Sequence, residues 1–177
     1  MNVEDLYQEI ILDHYRERHH SGLREPFGAE VHHVNPSCGD EITLRVALAG
    51  DEIADISYDA VGCSISQAST SVMADLLIGR DIDDAMALYD EFLEMMNSRG
   101  QATPDEDRFE DAIAFVGVSQ FPARVKCALL GWAATRDAVA RAQTAETQSS
   151  ETQTVDTQTG ETRAATTDLP TPPQEAS

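Results

Sequence analysis

The chain has 177 residues, 32 of them acidic and 12 basic, for a formal net charge of −20, and Lys126 is its only lysine. Such a chain has no basic face with which to neutralise phosphates, which excludes sequence-independent nucleic-acid binding. No apolar run approaches the ~20 residues of a membrane span. The opening stretch MNVEDLYQEI carries acids where a signal peptide carries basic and then apolar residues, so the expected compartment is the cytoplasm. The length suits one domain with a single core.

A first helix is expected with Asn2 as its cap and Asp5 at the third helical position. Val3, Leu6, Tyr7, Ile10, Ile11 and His14 recur at helical steps, and the helix ends before Ser21–Gly22. Ala29 to Val34 reads as a short strand. Ile42, Leu44, Val46 and Leu48 alternate with Glu41, Thr43, Arg45 and Ala47, the pattern of a half-buried strand. After a turn at Gly50–Asp51, Ala54, Ile56, Tyr58 and Ala60 alternate against Ile53, Asp55, Ser57 and Asp59, so the two runs predict a hairpin and an antiparallel sheet. Gly62–Cys63–Ser64 leads into a helix that reaches Ile78 and stops at Gly79. Asp81 caps the next, whose Ile82, Met86, Tyr89, Phe92, Leu93 and Met96 form an apolar stripe. Pro104 to Asp107 opens an acidic connector, and Ala112 to Val118 is too short to assign. Pro122 introduces a last helix with Val125, Leu129, Trp132 and Val139 on one face. Strands followed by helices predict an α+β domain, a small antiparallel sheet with helices on one face.

Composition changes after Gln143. Thr144 to Ser177 is built from Thr, Gln, Glu, Ala and Ser, with no aromatic residue and a single Leu and Val. That is too little apolar surface to offset chain entropy. The expected organisation is a folded domain over 1–143 and a disordered acidic tail over 144–177. The tail holds six acids and one base, Arg163, so most of the charge belongs to the folded part. Acid spread over every segment reads as adaptation to a salt-rich cytoplasm rather than as one docking cluster for a basic partner. Unfolding on dilution of salt is the expected mark of the first.

Three cysteines, an odd number, argue against a disulfide framework. Cys38, Cys63 and Cys127 form no C-x-x-C pair, and a buried cysteine that only packs is the ordinary alternative for each. Cys38 lies in the turn sequence Asn35–Pro36–Ser37–Cys38–Gly39–Asp40 before one strand, and Cys63 follows the next strand at a helix start. A hairpin puts both at the same end of the sheet. A helix N-terminus favours the thiolate of Cys63. Arg124, one turn before Cys127 on the same helical face, is expected to do so there. Asp40 projects to the same side as Cys38 if the backbone is extended. Three thiolates and one carboxylate suit a tetrahedral Zn²⁺ site; the alternative for Asp40 is a turn residue bonding its own backbone. His14 reads as packing, and His19 and His20 as solvated. His32 and His33, in a strand, point to opposite faces, so at most one of them reaches a metal.

The segments LYQEIILDHYRERHHSG, NPSCGDEITL, GCSISQAS and GVSQFPARVKCALLGW, with the long insertion between the second and third cysteines, resemble the U-type iron–sulfur assembly proteins over nearly all of 1–143. The fit is to the SufU branch rather than the IscU or NifU branch. The resemblance implies the U-type α+β fold, a three-stranded sheet packed with helices, and zinc held by Cys38, Asp40, Cys63 and Cys127. It implies a sulfurtransferase-like role: Cys38 accepts persulfide sulfur from a PLP-dependent cysteine desulfurase of the SufS type and passes it toward the SufBCD assembly. A desulfurase histidine is implied to replace Cys38 on the zinc, and Arg124 to stabilise the sulfur-bearing thiolate. IscU-type proteins carry a histidine directly before the third cysteine, where this chain has Lys126. That departure disfavours the alternative, in which the same ligands hold iron or a transient [2Fe–2S] cluster for delivery to apo-proteins. The Gly79-to-Ser119 insertion is likewise a SufU feature, and the tail has no counterpart in the pattern.

Overall fold

The structure, a computed structural model, describes residues 2–158. Asn2 caps α1 (Val3–Glu17) through a capping box. Its Oδ1 accepts from the Asp5 N–H at 2.8 Å, and Asp5 Oδ2 accepts from the Asn2 N–H at 3.3 Å. Arg18 ends the helix in the left-handed region, at φ 49°.

β1 (Ala29–Asn35), β2 (Asp40–Ala49) and β3 (Glu52–Val61) form a three-stranded antiparallel sheet in the order β1-β2-β3. The expected hairpin is present, and β1 adds to it along β2. In β2 the alternation holds: Ile42, Leu44 and Val46 are buried against the helices. The start of β3 departs from expectation. The register shifts so that Ala47 pairs with Asp55 but Leu48 with Ile53, leaving Ala54 as the extra residue of a bulge. Ile53 therefore faces the core and Ala54 is exposed, the reverse of the alternation, which resumes at Ile56. A bulge inverts facing without any signature in hydropathy.

α2 (Ser64–Leu77), α3 (Ile82–Asn97), the single turn α4 (Glu106–Phe109), a 3₁₀ segment (Glu110–Gln120) and α5 (Pro122–Gln158) complete the described chain. The unassigned stretch Ala112–Val118 lies inside the 3₁₀ segment. α5 lies across β1 and β2, while α2 packs against α5, α1 and β3. α2 is buried almost all round although rich in hydroxyls, because they find partners inside: Ser69 Oγ donates to Ala128 O at 2.7 Å and Thr70 Oγ1 to Ser66 O at 2.9 Å. At Gly131 of α5 a Cβ would run into the Thr70 side chain, so the close approach of the two helices requires glycine there. On α5 the buried face is carried by small residues, Ala128, Gly131, Thr135 and Ala138, together with Trp132 and Val139; Val125 and Leu129 are only half-buried.

The tail expected to lose structure at Thr144 instead begins as a continuation of α5 to Gln158. Among the residues whose burial is described Ala142 is the last buried one, residues 143–149 are exposed, and Thr144 and Ser149 donate to carbonyls four residues back at 2.9 and 3.0 Å. Ala, Gln and Glu extend a helix already nucleated by packing, and residues 143–149 do so without burial. The rest of the expected disordered tail, from 159 onward, lies outside the described residues. Among the described residues no helix is long and apolar enough to cross a membrane.

Candidate metal centre

The β1–β2 turn is organised by Asn35. Its carbonyl accepts from the Cys38 and Gly39 N–H groups at 3.3 and 2.9 Å, and its Oδ1 accepts from the Ser37 N–H at 3.1 Å. Gly39 takes φ +71°, where a side chain would be strained. Cys38 is thereby exposed at the turn, whereas Asp40, opposite Asn35 in the register, is turned inward and 3% exposed. Asn35 Nδ2, at the base of this turn, is buried without a hydrogen-bond partner.

Among the described residues Asp40 makes no hydrogen bond to the backbone of its own turn. Its Oδ1 accepts from the Cys63 N–H at 3.0 Å and its Oδ2 from the Cys63 thiol at 3.5 Å, so it ties the first cysteine loop to the second. Cys63 is the N-cap of α2, with its Sγ accepting from the Ser66 N–H at 3.5 Å. Cys127, in the second turn of α5, is buried, with its Sγ 3.3 Å from Cys38 Sγ. One donor atom each from Cys38, Asp40 and Cys127 lies within 4.8 Å of the others, and Cys63 adjoins the group through Asp40. Four residues spread over 90 positions of sequence thus meet at one end of the sheet.

Burial penalises the Asp40 charge, but the thiols of Cys38, Cys127 and Cys63 and the Cys63 backbone N–H outweigh it and hold the carboxyl below its usual range. Burial pushes the Cys127 thiol up, and the neighbouring Cys38 and Asp40 add to this. Arg124 is exposed and, among the described residues, its side chain makes no hydrogen bond or ion pair; it borders a groove shared with Phe121 and the α1 residues Glu4 and Tyr7. A divalent cation inverts the balance at Cys127, because coordination removes a thiol proton outright. The donor set fits zinc. Two contacts, 3.3 Å between the Cys38 and Cys127 sulfurs and 3.5 Å from Cys63 Sγ to Asp40 Oδ2, compare with the roughly 3.8 and 3.5 Å that Zn–S and Zn–O bonds set on a tetrahedron, and Cys63 stands outside the 4.8 Å group of the other three.

Sequence reasoning missed Gly62. A Cβ there would stand 2.8 Å from Asp40 Cγ and Oδ1, so only glycine lets β3 pass the buried carboxylate. A glycine directly before Cys63 is visible in the sequence, but its partner is not. Gly62→Ala should displace Asp40 and weaken zinc retention by roughly 10- to 100-fold, the usual cost of disturbing the support of a metal ligand. Chelator competition measures it, and unchanged affinity would show that Asp40 is free to shift.

None of the histidines joins the cysteines. His32 Nδ1 lies 3.1 Å from Thr43 Oγ1, and His33 Nε2 3.0 Å from Asp137 Oδ2. His19 and His20, expected to be solvated, contact Asp75 at 2.5 and 2.9 Å, and His14 is buried among polar partners. Asp75, 55 or more positions away in sequence, is what fixes them.

The profile of the NifU-like N terminal domain matches residues 6–128, a span that contains all four residues of the centre. The chain belongs to the NifU-like N-terminal domain family. Its three-stranded antiparallel sheet with helices is the fold of that family's solved members. One is an iron–sulfur cluster assembly scaffold protein for the SUF system from Fervidobacterium islandicum AW-1, with TM-score 0.66, 34% identity, and coverage of 75% of this chain and 96% of that one. The zinc-dependent sulfurtransferase SufU of Bacillus subtilis (strain 168) is 38% identical over 143 residues, 80% of this chain and 95% of the relative. The iron–sulfur cluster assembly scaffold protein IscU of Streptococcus pyogenes serotype M1 is 40% identical over 140 residues, 79% of this chain and 86% of the relative. This is a U-type iron–sulfur cluster assembly protein. The two names divide over what the family's centre does, at nearly equal identity, so the choice falls to the chemistry of the site.

Proposed function

We propose that this protein is a cytoplasmic, zinc-dependent sulfur acceptor: Cys38 takes persulfide sulfur from a SufS-type, PLP-dependent cysteine desulfurase and passes it to a SufBCD-type assembly. The observation that carries this reading is the contrast between an exposed Cys38 on a glycine-pivoted turn and a buried Asp40 and Cys127 behind it. Of the three sulfurs, it is the one a partner reaches most readily.

Cys38, Asp40, Cys63 and Cys127 would hold the zinc, which when bound would supply the positive charge that keeps the three thiols deprotonated at neutral pH. Cys38, once disengaged from the other three, attacks the outer sulfur of the desulfurase persulfide. The S–S bond of the desulfurase breaks, its cysteine leaves as a thiolate, and a new S–S bond forms on Cys38. One persulfide replaces another, with no net oxidation and no external electron acceptor. Handing the sulfur on repeats the exchange with Cys38 as the leaving thiolate. Lys126 directly before Cys127 supports this reading over the scaffold, since it supplies no imidazole ligand.

Arg124 stands three residues before Cys127 with an unengaged guanidinium, suited to offsetting the charge of a persulfide on Cys38. Arg124→Ala is expected to leave zinc bound and slow sulfur transfer about tenfold. Loss of zinc instead would make Arg124 structural. The test of the function is desulfurase turnover on cysteine with and without the zinc-loaded protein. Stimulation is expected, and its absence would sink the reading. The scaffold reading has one observation in its favour, the carboxylate in the ligand set, which binds a cluster less firmly than a fourth thiolate. Iron, acid-labile sulfide and a brown colour in protein purified without oxygen would favour it.

A further inference from the structure

Asp75 lies twelve residues beyond Cys63 on α2, ~18 Å along the helix axis. Around it gathers a second cluster that the sulfur chemistry does not use. His14 is the buried residue of α1, 5% exposed. Its Nδ1 lies 2.9 Å from Ser71 Oγ and 4.0 Å from Asp75 Oδ2, and its Nε2 lies 3.1 Å from Asp111 Oδ2. His19, just past α1, has its Nδ1 2.5 Å from the same Asp75 Oδ2 and its Nε2 2.8 Å from Glu17 Oε2. His20 Nε2 is 2.9 Å from the other oxygen, Asp75 Oδ1. His19 is pinned by its backbone: its N–H donates to Ser71 Oγ at 2.9 Å, and its carbonyl accepts from the Tyr58 hydroxyl at 2.8 Å.

Both imidazoles bring Nδ1 to the Asp75 side, His19 at 2.5 Å from Oδ2 and His14 at 4.0 Å with Ser71 Oγ nearer at 2.9 Å, and each rests its Nε2 on a carboxylate of its own. A histidine that ligates a metal through one nitrogen commonly donates the other N–H to a carboxylate, which fixes the tautomer and raises the basicity of the ligating nitrogen. Asp111 and Glu17 are placed to hold the Nε2 protons in this way, leaving the His19 Nδ1 lone pair facing Asp75, while that of His14 can accept from the Ser71 hydroxyl at 2.9 Å. Lone pairs facing a carboxylate repel unless a cation lies between them. A proton can serve, and hydrogen bonds donated to the Glu17 and then the Asp75 carboxylate raise the His19 pKa accordingly. A metal ion can take the proton's place, since one donor atom each from His14, His19 and Asp75 lies within 4.8 Å of the others; it would widen the 2.5 Å His19–Asp75 contact and draw His14 Nδ1 from Ser71.

We propose that His14, His19 and Asp75 form a second metal site, taking a first-row divalent transition-metal ion through two imidazole nitrogens and a carboxylate oxygen. Its donors are nitrogen and oxygen, unlike those of the cysteine centre, so the two sites rank metals differently. A loaded site clamps the C-terminal end of α1 to α2 and, through Asp111, to the 3₁₀ segment.

The test uses the full chain with its cysteine centre first saturated with zinc, titrated with Co²⁺ without oxygen and followed by absorbance and metal stoichiometry. A further equivalent of cobalt should bind with ligand-field bands but no thiolate-to-cobalt charge transfer. His19→Asn and Asp75→Asn should each weaken that equivalent by more than about tenfold while keeping the zinc. Glu17→Gln, on an exposed side chain that does not bear on folding, should weaken it by less. His33→Asn, on a histidine paired with Asp137 instead, should leave both metals bound. No second equivalent in the unaltered protein, or one that survives both His19→Asn and Asp75→Asn, overturns the proposal. Zinc retained at the cysteines reports that each variant is folded. It also separates failure here from failure of the sulfur-transfer reading.

Discussion

Cys38→Ser is expected to abolish sulfur acceptance: desulfurase turnover with the variant should fall to the rate of the desulfurase alone. Serine keeps the size of the side chain and the Asn35-centred turn, so the loss reports on the sulfur atom and not on the loop. Asp40, Cys63 and Cys127 remain, held together by Asp40's bonds to Cys63 and by the packing of α5, so zinc should bind more weakly but still be detectable. A hydroxyl at this position cannot form a persulfide, and its ordinary pKa keeps it protonated and poorly nucleophilic. Cys127→Ser is the contrasting case. Cys127 is buried, so its replacement should lower both zinc retention and stability. A Cys38→Ser protein that stimulates the desulfurase fully would rule the transfer mechanism out.

Trp132→Ala should produce a large loss of stability, about 3–5 kcal/mol. The indole is 1% exposed and stacks on Phe92 with ring centroids 4.1 Å apart and planes 10° from parallel, while Phe115 meets Phe92 edge-on at 6.1 Å. Its Nε1–H donates to Ser69 Oγ at 3.1 Å, and that hydroxyl in turn donates to Ala128 O, which joins α2 to α5 beside the metal centre. Truncation removes the aromatic stack, opens a cavity where α3, α2 and α5 meet, and leaves Ser69 without its donor. Domains of this size are stable by roughly 5–15 kcal/mol, so the loss takes a large share of the total. Urea unfolding at fixed zinc and salt measures it. Trp132→Phe retains the stack and should recover most of the loss. A loss under about 1 kcal/mol for Trp132→Ala would mean that the α2–α5 contact does not depend on this residue.

Where hydropathy has a clear period, the sequence is enough to read the fold. Ile42, Leu44 and Val46 announce β2, Asn2 and Asp5 the start of α1, and Asp81 the start of α3. What failed has physical causes. The bulge at Ala54 inverts facing by geometry alone. Apart from Trp132 and Val139, which the sequence does show, the buried stripe of α5 is largely Ala, Gly and Thr, which carry little hydropathy. The helix beyond Thr144 gains from propensity and a packed nucleus, not from burial. At the centre, the shared location of Cys38 and Cys63 follows from the hairpin. The arrival of Cys127 depends on α5 lying across β1 and β2, and the need for Gly62 depends on Asp40 crossing to the next loop. The His14, His19 and Asp75 cluster was the least legible of all. His19 and Asp75 are 56 positions apart, and nothing local distinguishes a histidine at a helix end that meets a carboxylate from one that meets water.

The central claim is that sulfur travels on Cys38, and peptide mass mapping after reaction tests it most directly. The zinc-loaded protein is incubated with a SufS-type desulfurase and cysteine, trapped with an alkylating reagent, and digested. One additional sulfur atom on the peptide that contains Cys38, with none on those containing Cys63 or Cys127, is the predicted result. A Cys38 peptide without added sulfur, from a protein that nonetheless assembles an iron–sulfur cluster on the same four residues, would contradict it.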